Sequence, residues 1–451
     1  MREFWEKTYR RFDPQEPPRE PAWIAQRPGS PVVSIARAIA RPFEPPHFLL
    51  ASTPGVGTTT ELMRLQRQLS GEEQLLPIFV DLVRHFSDSV RDEGALQSIA
   101  PHEVLLLGAL AIVRGATEAF EHRWDDLPSK DKLTRLDRAW REISDEEPAK
   151  DPTLNVLELA SQLLATVVDT AGVPLSGTIG ELLTNAGKTA AKVKWTVRLG
   201  RNESVLTDQD ERSQGLLSAV NDLILYLEHA YKRRIVLIID GLDRITEVAV
   251  AERLFLSSQL IGQLRSSLVL AAPFVLRHSL ANPGIRSFKF KVLTNAQVLA
   301  PQAPEDPTQT GAEVDFLYEL FCLRTKDLAD HATAIHDGAM AHLIRYSGGR
   351  VRDFVRLVRD AAARAWDADA PQIDMELAEE AVDELRKEYE NAVNRRHIEI
   401  LRGVLDDPEH RLPDDPETPD LLKYFRLLPY ANGNEWYYPH PLLTLKLLIR
   451  P

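Results

Sequence analysis

The stretch Pro46-His-Phe-Leu-Leu-Ala-Ser-Thr-Pro-Gly-Val-Gly-Thr-Thr-Thr-Glu-Leu-Met-Arg-Leu65 decides the fold. It reads as a short buried strand, a glycine turn and the start of a helix. That order builds a phosphate cradle. In the P-loop pattern G-x-x-x-x-G-K-[ST], backbone N–H groups wrap the phosphates, the lysine reaches the outer ones and the hydroxyl holds Mg²⁺. Gly57 and Thr59 occupy the second-glycine and metal-hydroxyl positions, whereas Ser52 replaces the first glycine and Thr58 the lysine. The candidate cradle is Gly55, Val56, Gly57, Thr58, Thr59 and Thr60, because a helix N-terminus offers unpaired donors and a positive dipole end whatever its side chains. The missing lysine removes a charge that catalysis would use.

A second stretch fixes the other half of the reading. Lys232-Arg-Arg-Ile-Val-Leu-Ile-Ile-Asp-Gly-Leu-Asp-Arg-Ile245 is an apolar, β-branched run ending in an acid, as expected of a central parallel strand whose carboxyl end faces a ligand crevice. This is the form of a Walker B strand. Asp240 is expected to hold Mg²⁺ through its water shell, and Asp243 to orient an attacking water or hold the polar network of the site. The two stretches in this order predict an α/β fold of the P-loop NTPase type.

At 451 residues, 44% of them hydrophobic, the chain has room for two to four domains with real cores. A net charge of −13 argues against wholesale electrostatic binding to nucleic acid or to an anionic membrane. The single cysteine, Cys322, excludes an internal disulfide framework and suggests a reducing cytosol. The N-terminus lacks a signal-peptide pattern, and apolar runs such as Val104–Val113 are too short to span a bilayer, so a cytoplasmic protein without a membrane partner is expected.

Residues 1–45 read as an N-terminal extended arm and helix: a proline-rich stretch, Asp13 to Pro21, then Ser30 to Ala40 as a helix capped by Ser30. Residues 46–305 read as the core. Within it, Leu75–Leu82 is a strand with a structural Asp81, Pro101–Ala116 an apolar helix, and Asp125–Asp151 charged surface sequence. A helical insertion is expected at about 115–215, because the separation of Gly57 from Asp240 far exceeds a minimal βαβαβ passage. Leu154–Thr170 and Val248–Leu264 read as helices, Ser266–Pro273 as a buried strand and Phe288–Leu293 as a sheet-edge strand.

The basic run Lys188, Lys192, Lys194, Trp195, Arg198 and Arg201 is the best local candidate for a nucleic-acid or partner surface, although a solvated helix and hinge explains it more simply. Residues 306–392 read as a helical lid. Inside it, Arg345-Tyr-Ser-Gly-Gly-Arg-Val-Arg-Asp353 has the form of a sensor-2 element, in which an arginine reaches the nucleotide phosphates; Arg352 is the first candidate and Arg350 the second. Residues 393–451 read as winged-helix-like, with Asn432-Gly433 as the hairpin turn. Its six Lys/Arg against nine Asp/Glu over 397–451 favour packing or regulation over DNA binding, and His440 reads as structural.

The run Leu49 to Leu65 resembles the loop of bacterial P-loop ATPases of the AAA+ and STAND/KAP type, and Ile238-Ile-Asp-Gly-Leu-Asp-Arg244 resembles their Walker B. Ser347-Gly-Gly-Arg-Val-Arg352 and the C-terminal part are similar to the lid and winged helix of the origin-recognition and STAND branches. What the resemblance implies is a nucleotide-binding regulatory switch: ATP or ADP with Mg²⁺, held between core and lid, changes their angle and thereby a surface for a protein partner or homo-oligomer. It also implies a place in bacterial conflict systems such as antiviral phage defence. The departures at Ser52 and Thr58 point to weak or absent hydrolysis, and Ala271-Ala272-Pro273, where relatives place a polar residue, adds a second departure. Two further readings stand beside this one: a DNA-handling AAA+ ATPase using the winged helix, and a structural pseudo-NTPase subunit of a larger assembly.

Overall fold

The computed structural model describes residues 1–18, 20–147, 149–168, 197–200, 208–281, 287–432 and 434–449. By contacts the chain divides into two units, one of residues 31–52 and 61–292, the other of residues 1–30, 53–60 and 293–451.

The first unit is built on one sheet. Its strands are β1 (His47–Ser52), β2 (Leu75–Asp81), β3 (Ala165–Thr166), β4 (Arg234–Asp240), β5 (Ser267–Pro273) and β6 (Lys289–Leu293), in the order β3-β2-β4-β5-β1-β6. β2, β4, β5 and β1 run parallel, and β1 and β5 are buried along their whole length, which is why they read as continuous apolar runs without alternation. Pro77 is tolerated in β2 because β3 pairs only with Phe79 and Val80 on that side, leaving no ladder bond for Pro77 to miss. The expected edge strand is present as β6, next to β1.

The helices of the chain, in order, are α1 (Arg2–Arg11), α2 (Val32–Ala40), α3 (Thr58–Ser70), α4 (Leu82–Arg84), α5 (Pro101–Phe120), α6 (Leu127–Ser144), α7 (Pro152–Gln162), α8 (Glu211–Tyr231), α9 (Val248–Glu252), α10 (Val314–Thr325), α11 (Asp337–Tyr346), α12 (Val351–Asp367), α13 (Met375–Glu390), α14 (Arg395–Asp406), α15 (Thr418–Lys423) and α16 (Pro441–Thr444). α5 is buried on nearly every face, from Val104 through Ala116, and forms the centre of the core with β2, β4 and α8.

Three sequence expectations are corrected in this unit. The charged stretch 125–151 is not loose surface sequence: α6 buries Leu133, Leu136, Trp140 and Ile143 along one stripe, and Asp126 caps it by accepting from the Ser129 N–H at 2.7 Å. The helix expected to run to Thr170 stops at Gln162, where Arg114 donates to the carbonyls of Ser161 and Leu163 and the chain turns into β3. Val248–Leu264 is not one helix. Ser258 breaks it by donating to Asp208 Oδ1 at 2.6 Å and accepting from the Leu260 N–H, an alternative to the helical ladder. The small-residue-rich stretch Gly177–Thr196, with Lys188, Lys192, Lys194 and Trp195 of the basic run, lies outside the described residues, as does Arg201; Arg198 is described and exposed.

In the second unit α1, which the sequence reading did not predict, buries Phe4 and Trp5, and Trp5 Nε1 donates to the Ala370 carbonyl at 2.9 Å. Arg11 forks onto Asp327, and Glu313 accepts from the N–H groups of Gly29 and Gln297 at 2.9 and 2.8 Å and from Arg27 at 3.3 Å. The segment 1–30 is therefore tied to the helices α10 to α13 by buried rings and by carboxylates that bridge it. At the C-terminus α14, α15 and the antiparallel hairpin β7 (Leu427–Asn432) and β8 (Asn434–Pro439) form a winged helix, closed by α16. The turn residue Gly433 lies outside the described residues.

Candidate functional site

The phosphate-loop candidate sits in the second unit. The backbone turns after β1, with the Val56 N–H reaching the Thr53 carbonyl at 3.4 Å, and enters α3 at Thr58. Gly55 and Gly57 have φ of +96° and +98°, a backbone that L side chains rarely adopt, so each glycine is required where it stands. Val56 is buried; Thr58, in the lysine position, is buried too; Thr59 and Thr60 are half-buried on the first turn of α3. The loop therefore keeps the form of an anion cradle, with N–H groups and a helix N-terminus, and lacks the cationic arm.

The start of α12 packs against this loop. Arg350 donates to the Pro54 carbonyl from Nε and Nη2 at 3.2 and 2.9 Å, and the Arg352 backbone N–H donates to the Gly55 carbonyl at 2.9 Å. A Cβ at Gly55 would lie 2.7 Å from Arg350 Nη2. Sequence reasoning placed Arg352 ahead of Arg350; the Arg350 side chain bonds the loop, and Arg352, half-buried, bonds it with its backbone N–H.

Arg350 is also committed elsewhere. Its Nη1 donates to both oxygens of Asp353 and to the Tyr389 hydroxyl, each at 2.8 Å, and its guanidinium lies 3.6 Å over the Phe425 ring. Asp353 accepts in addition from the Tyr389 hydroxyl at 2.6 Å and from His440 Nε2 at 3.3 Å. His440 Nδ1 accepts from the Leu442 N–H, which leaves the proton on Nε2 and aims it at Asp353. Burial by itself would raise the Asp353 carboxyl, but the Arg350 charge and the bonds from His440 and Tyr389 hold it well below the usual carboxylate range; burial pushes His440 down. His440 is thus structural, and no sequence signal tied it to Asp353 or Tyr389.

Gly348 and Gly349 hold this arrangement in place. Tyr430 donates to the Gly348 carbonyl at 2.7 Å and the Ala296 N–H to that of Gly349 at 2.9 Å, and a Cβ on Gly349 would lie 1.8 Å from the Ala296 oxygen.

The acidic candidates lie in the sheet unit. β1, β5, β4 and β2 are parallel, so Ser52, Pro273, Asp240 and Asp81 share one edge of the sheet, and β5 separates the strand leading into the loop from the strand ending in Asp240. Asp240 and Asp243 are both buried, and Asp240 pairs in register with Asp81. Asp81 caps α4 by accepting from the Arg84 N–H at 3.0 Å, and burial raises its carboxyl above the ordinary value against the pull of that bond, Arg84 and Arg244. The β5 end, Ala271-Ala272-Pro273, offers no side-chain donor. Arg64, a candidate to replace the missing lysine, pairs with Glu61 at 3.3 Å. Among the described residues no cluster of three or more His, Cys, Asp or Glu is placed to hold a metal ion, and no helix is long and apolar enough to cross a membrane.

No protein-family model matches the chain, and no curated protein matches it. Among solved structures it is similar to the ORC2 protein of Aeropyrum pernix in ADPNP–ADP complexes, with a TM-score of 0.39 and 10% identity over 96% of this chain and 93% of that one. It is similar to the ORC1 protein of the same organism in complex with DNA, with a TM-score of 0.38 and 13% identity over 91% of this chain and 88% of that one. A third, Cdc6p from Pyrobaculum aerophilum, gives 0.38 and 11% identity, covering 95% of each chain. The chain's own strand order, glycine loop after β1 and C-terminal hairpin make its fold α/β, with a parallel sheet core and a C-terminal winged-helix domain.

Proposed function

We propose that the protein is a nucleotide-binding regulatory switch that takes ATP or ADP on residues 53–60, hydrolyses it weakly or not at all, and acts through a protein partner or further copies of itself. The observation that carries this reading is the pair of positive-φ glycines, Gly55 and Gly57, at the entry to α3: the backbone pays for an anion cradle although the lysine is gone. The groups that the reading assigns to phosphate are the N–H groups of Gly55, Val56, Gly57, Thr58, Thr59 and Thr60. A Mg²⁺ ion would take Thr59 and the water shell of Asp240 and keep most of its remaining ligands from phosphate and water. Asp243 completes the acidic pair, but with no lysine and no donor on β5 little is left to stabilise developing charge on a leaving phosphate. Service in a conflict system such as phage defence belongs to this reading as a role for the switch. The test is titration with fluorescent ATP and ADP, with and without Mg²⁺, beside a turnover assay: saturable binding with negligible turnover supports the switch.

A second reading, a DNA-handling protein, is favoured by the winged helix of α14, α15 and the β7–β8 hairpin. The helix ahead of the hairpin is short; of the acids before it Asp415 pairs with Arg396 and Glu417 with His397, and Lys423 lies in its last turn. A duplex shift at low salt, fading as salt rises, would support this reading.

A further inference from the structure

We propose that Arg350 is a positioning residue that sets the peptide orientation of the phosphate loop and ties it to the C-terminal winged helix, and that it does not read the phosphates. A sensor arginine needs a charge it can present to a ligand. The Arg350 charge is already neutralised by a two-oxygen ion pair with Asp353, both side chains being almost fully buried. Nη1 donates to the Tyr389 hydroxyl as well, and Nε and Nη2 both donate to the Pro54 carbonyl. Pulling it out to a phosphate would strand a buried carboxylate, the costliest kind of broken pair.

What Arg350 does hold is a peptide plane. A trans peptide is planar with its C=O and N–H on opposite sides, so drawing the Pro54 oxygen toward Arg350 sends the Gly55 N–H the other way. The Arg352 N–H fixes the next carbonyl, that of Gly55, in the same manner. Two successive loop carbonyls are thus turned to the start of α12, which keeps them out of a cradle meant for anions. Loss of these bonds frees the peptides to flip and put a carbonyl where a phosphate oxygen would sit.

The same guanidinium reaches the C-terminal part by the Phe425 ring beneath it, by Asp353 to His440 at the entry to α16, and through Tyr389 on α13, whose ring lies 4.3 Å from that of His440. His440 is in turn held by its N–H on the Arg426 carbonyl at 2.9 Å. Loop geometry and winged-helix packing are therefore one connected set of buried bonds, and coupling between them is reciprocal. This rests on the reading of residues 53–60 as a nucleotide cradle for its purpose, but its structural content does not need a ligand.

The test uses the full chain in two arms. In the nucleotide-free protein, amide hydrogen exchange is followed over 55–59 and 427–439. Arg350→Gln, Arg350→Lys and His440→Gln are each expected to speed exchange in 55–59 by about tenfold, the size of an ordinary coupling. Leu343→Ala, a cavity in α11 away from these bonds, controls for general loosening and is expected to leave 55–59 unchanged relative to the rest of its unit. Unchanged loop exchange in the Arg350 variants, or an equal rise in Leu343→Ala, overturns the proposal. In the second arm, fluorescent ATP and ADP affinities are expected to fall together in Arg350→Gln and Arg350→Lys, with their ratio kept. A phosphate-reading arginine would instead lose ATP alone and be largely rescued by lysine, and that result also overturns it. If the wild-type chain binds no nucleotide, the switch reading fails while the exchange arm still decides this one.

Discussion

Asp81 and Asp240 end adjacent parallel strands in register, two carboxylates at the carboxyl edge of the sheet, and Asp81 caps α4. Because Asp81 caps α4, Asp81→Ala is expected to cost about 1 kcal/mol of stability and to leave the Mg²⁺-dependence of nucleotide affinity intact. Asp240→Asn is expected to abolish that dependence. Thermal melts beside ATP titrations with and without Mg²⁺ read both, and a Mg²⁺ effect that survives in Asp240→Asn would remove Asp240 from the site.

The two loop glycines should differ. Gly55→Ala adds a Cβ 2.7 Å from Arg350 Nη2 to an already strained backbone, whereas at Gly57 the nearest atom is Val351 Cγ2 at 3.6 Å and the backbone alone objects. Gly57→Ala is therefore expected to cost about 1–2 kcal/mol and Gly55→Ala clearly more, with nucleotide affinity falling in the same order. Equal effects would mean that Arg350 yields easily.

Thr58→Lys restores the charge of the motif. Tighter ATP binding is expected, by about tenfold for one good charge-assisted contact, without appreciable turnover, because Ala271, Ala272 and Pro273 still supply no donor. Rapid hydrolysis in Thr58→Lys would show that the lysine alone was limiting.

Acid should loosen the sheet unit in a defined window. Burial pushes His85 and His102 down to about 4, with Arg253 adding to the effect on His102. The unfolded chain binds these protons near pH 6.5, so the stability the neutral imidazoles contribute is full above that value and drains away as pH falls toward 4, by up to about 3 kcal/mol each. Glu103 works the other way: burial raises it to about 7 despite the N–H groups of Ala100 and Gly200, so its contribution is present below about 4.5 and lost as pH rises through 7. Melts from pH 7 to pH 5 should fall less steeply in His102→Gln and more steeply in Glu103→Gln. Parallel curves for the three proteins would contradict the assignment.

The sheet was legible because its strands are buried on both faces: Phe48 to Ala51, Ile235 to Ile239 and Leu268 to Ala272 admit no other reading. The loop was legible from Gly55 and Gly57, and the hairpin from its flanking apolar runs. What escaped was set by distant partners. α1 has a polar sequence and exists because Phe4 and Trp5 find a pocket hundreds of residues away. α6 hides a four-residue apolar stripe in charged sequence, and the break at Ser258 depends on Asp208 reaching that hydroxyl. The part Arg350 plays could not be read because it and Arg352 both begin a helix after two glycines; only packing brings Asp353, Tyr389 and His440 together around it.

The most direct measurement is to purify the protein natively, denature it, identify any released nucleotide, and titrate the emptied protein with fluorescent ATP and ADP. An adenine nucleotide that co-purifies unhydrolysed or binds saturably, and is lost in Gly57→Glu, is expected. Absence of binding at millimolar nucleotide in a folded protein would contradict it, and would make the loop a relic within a scaffold.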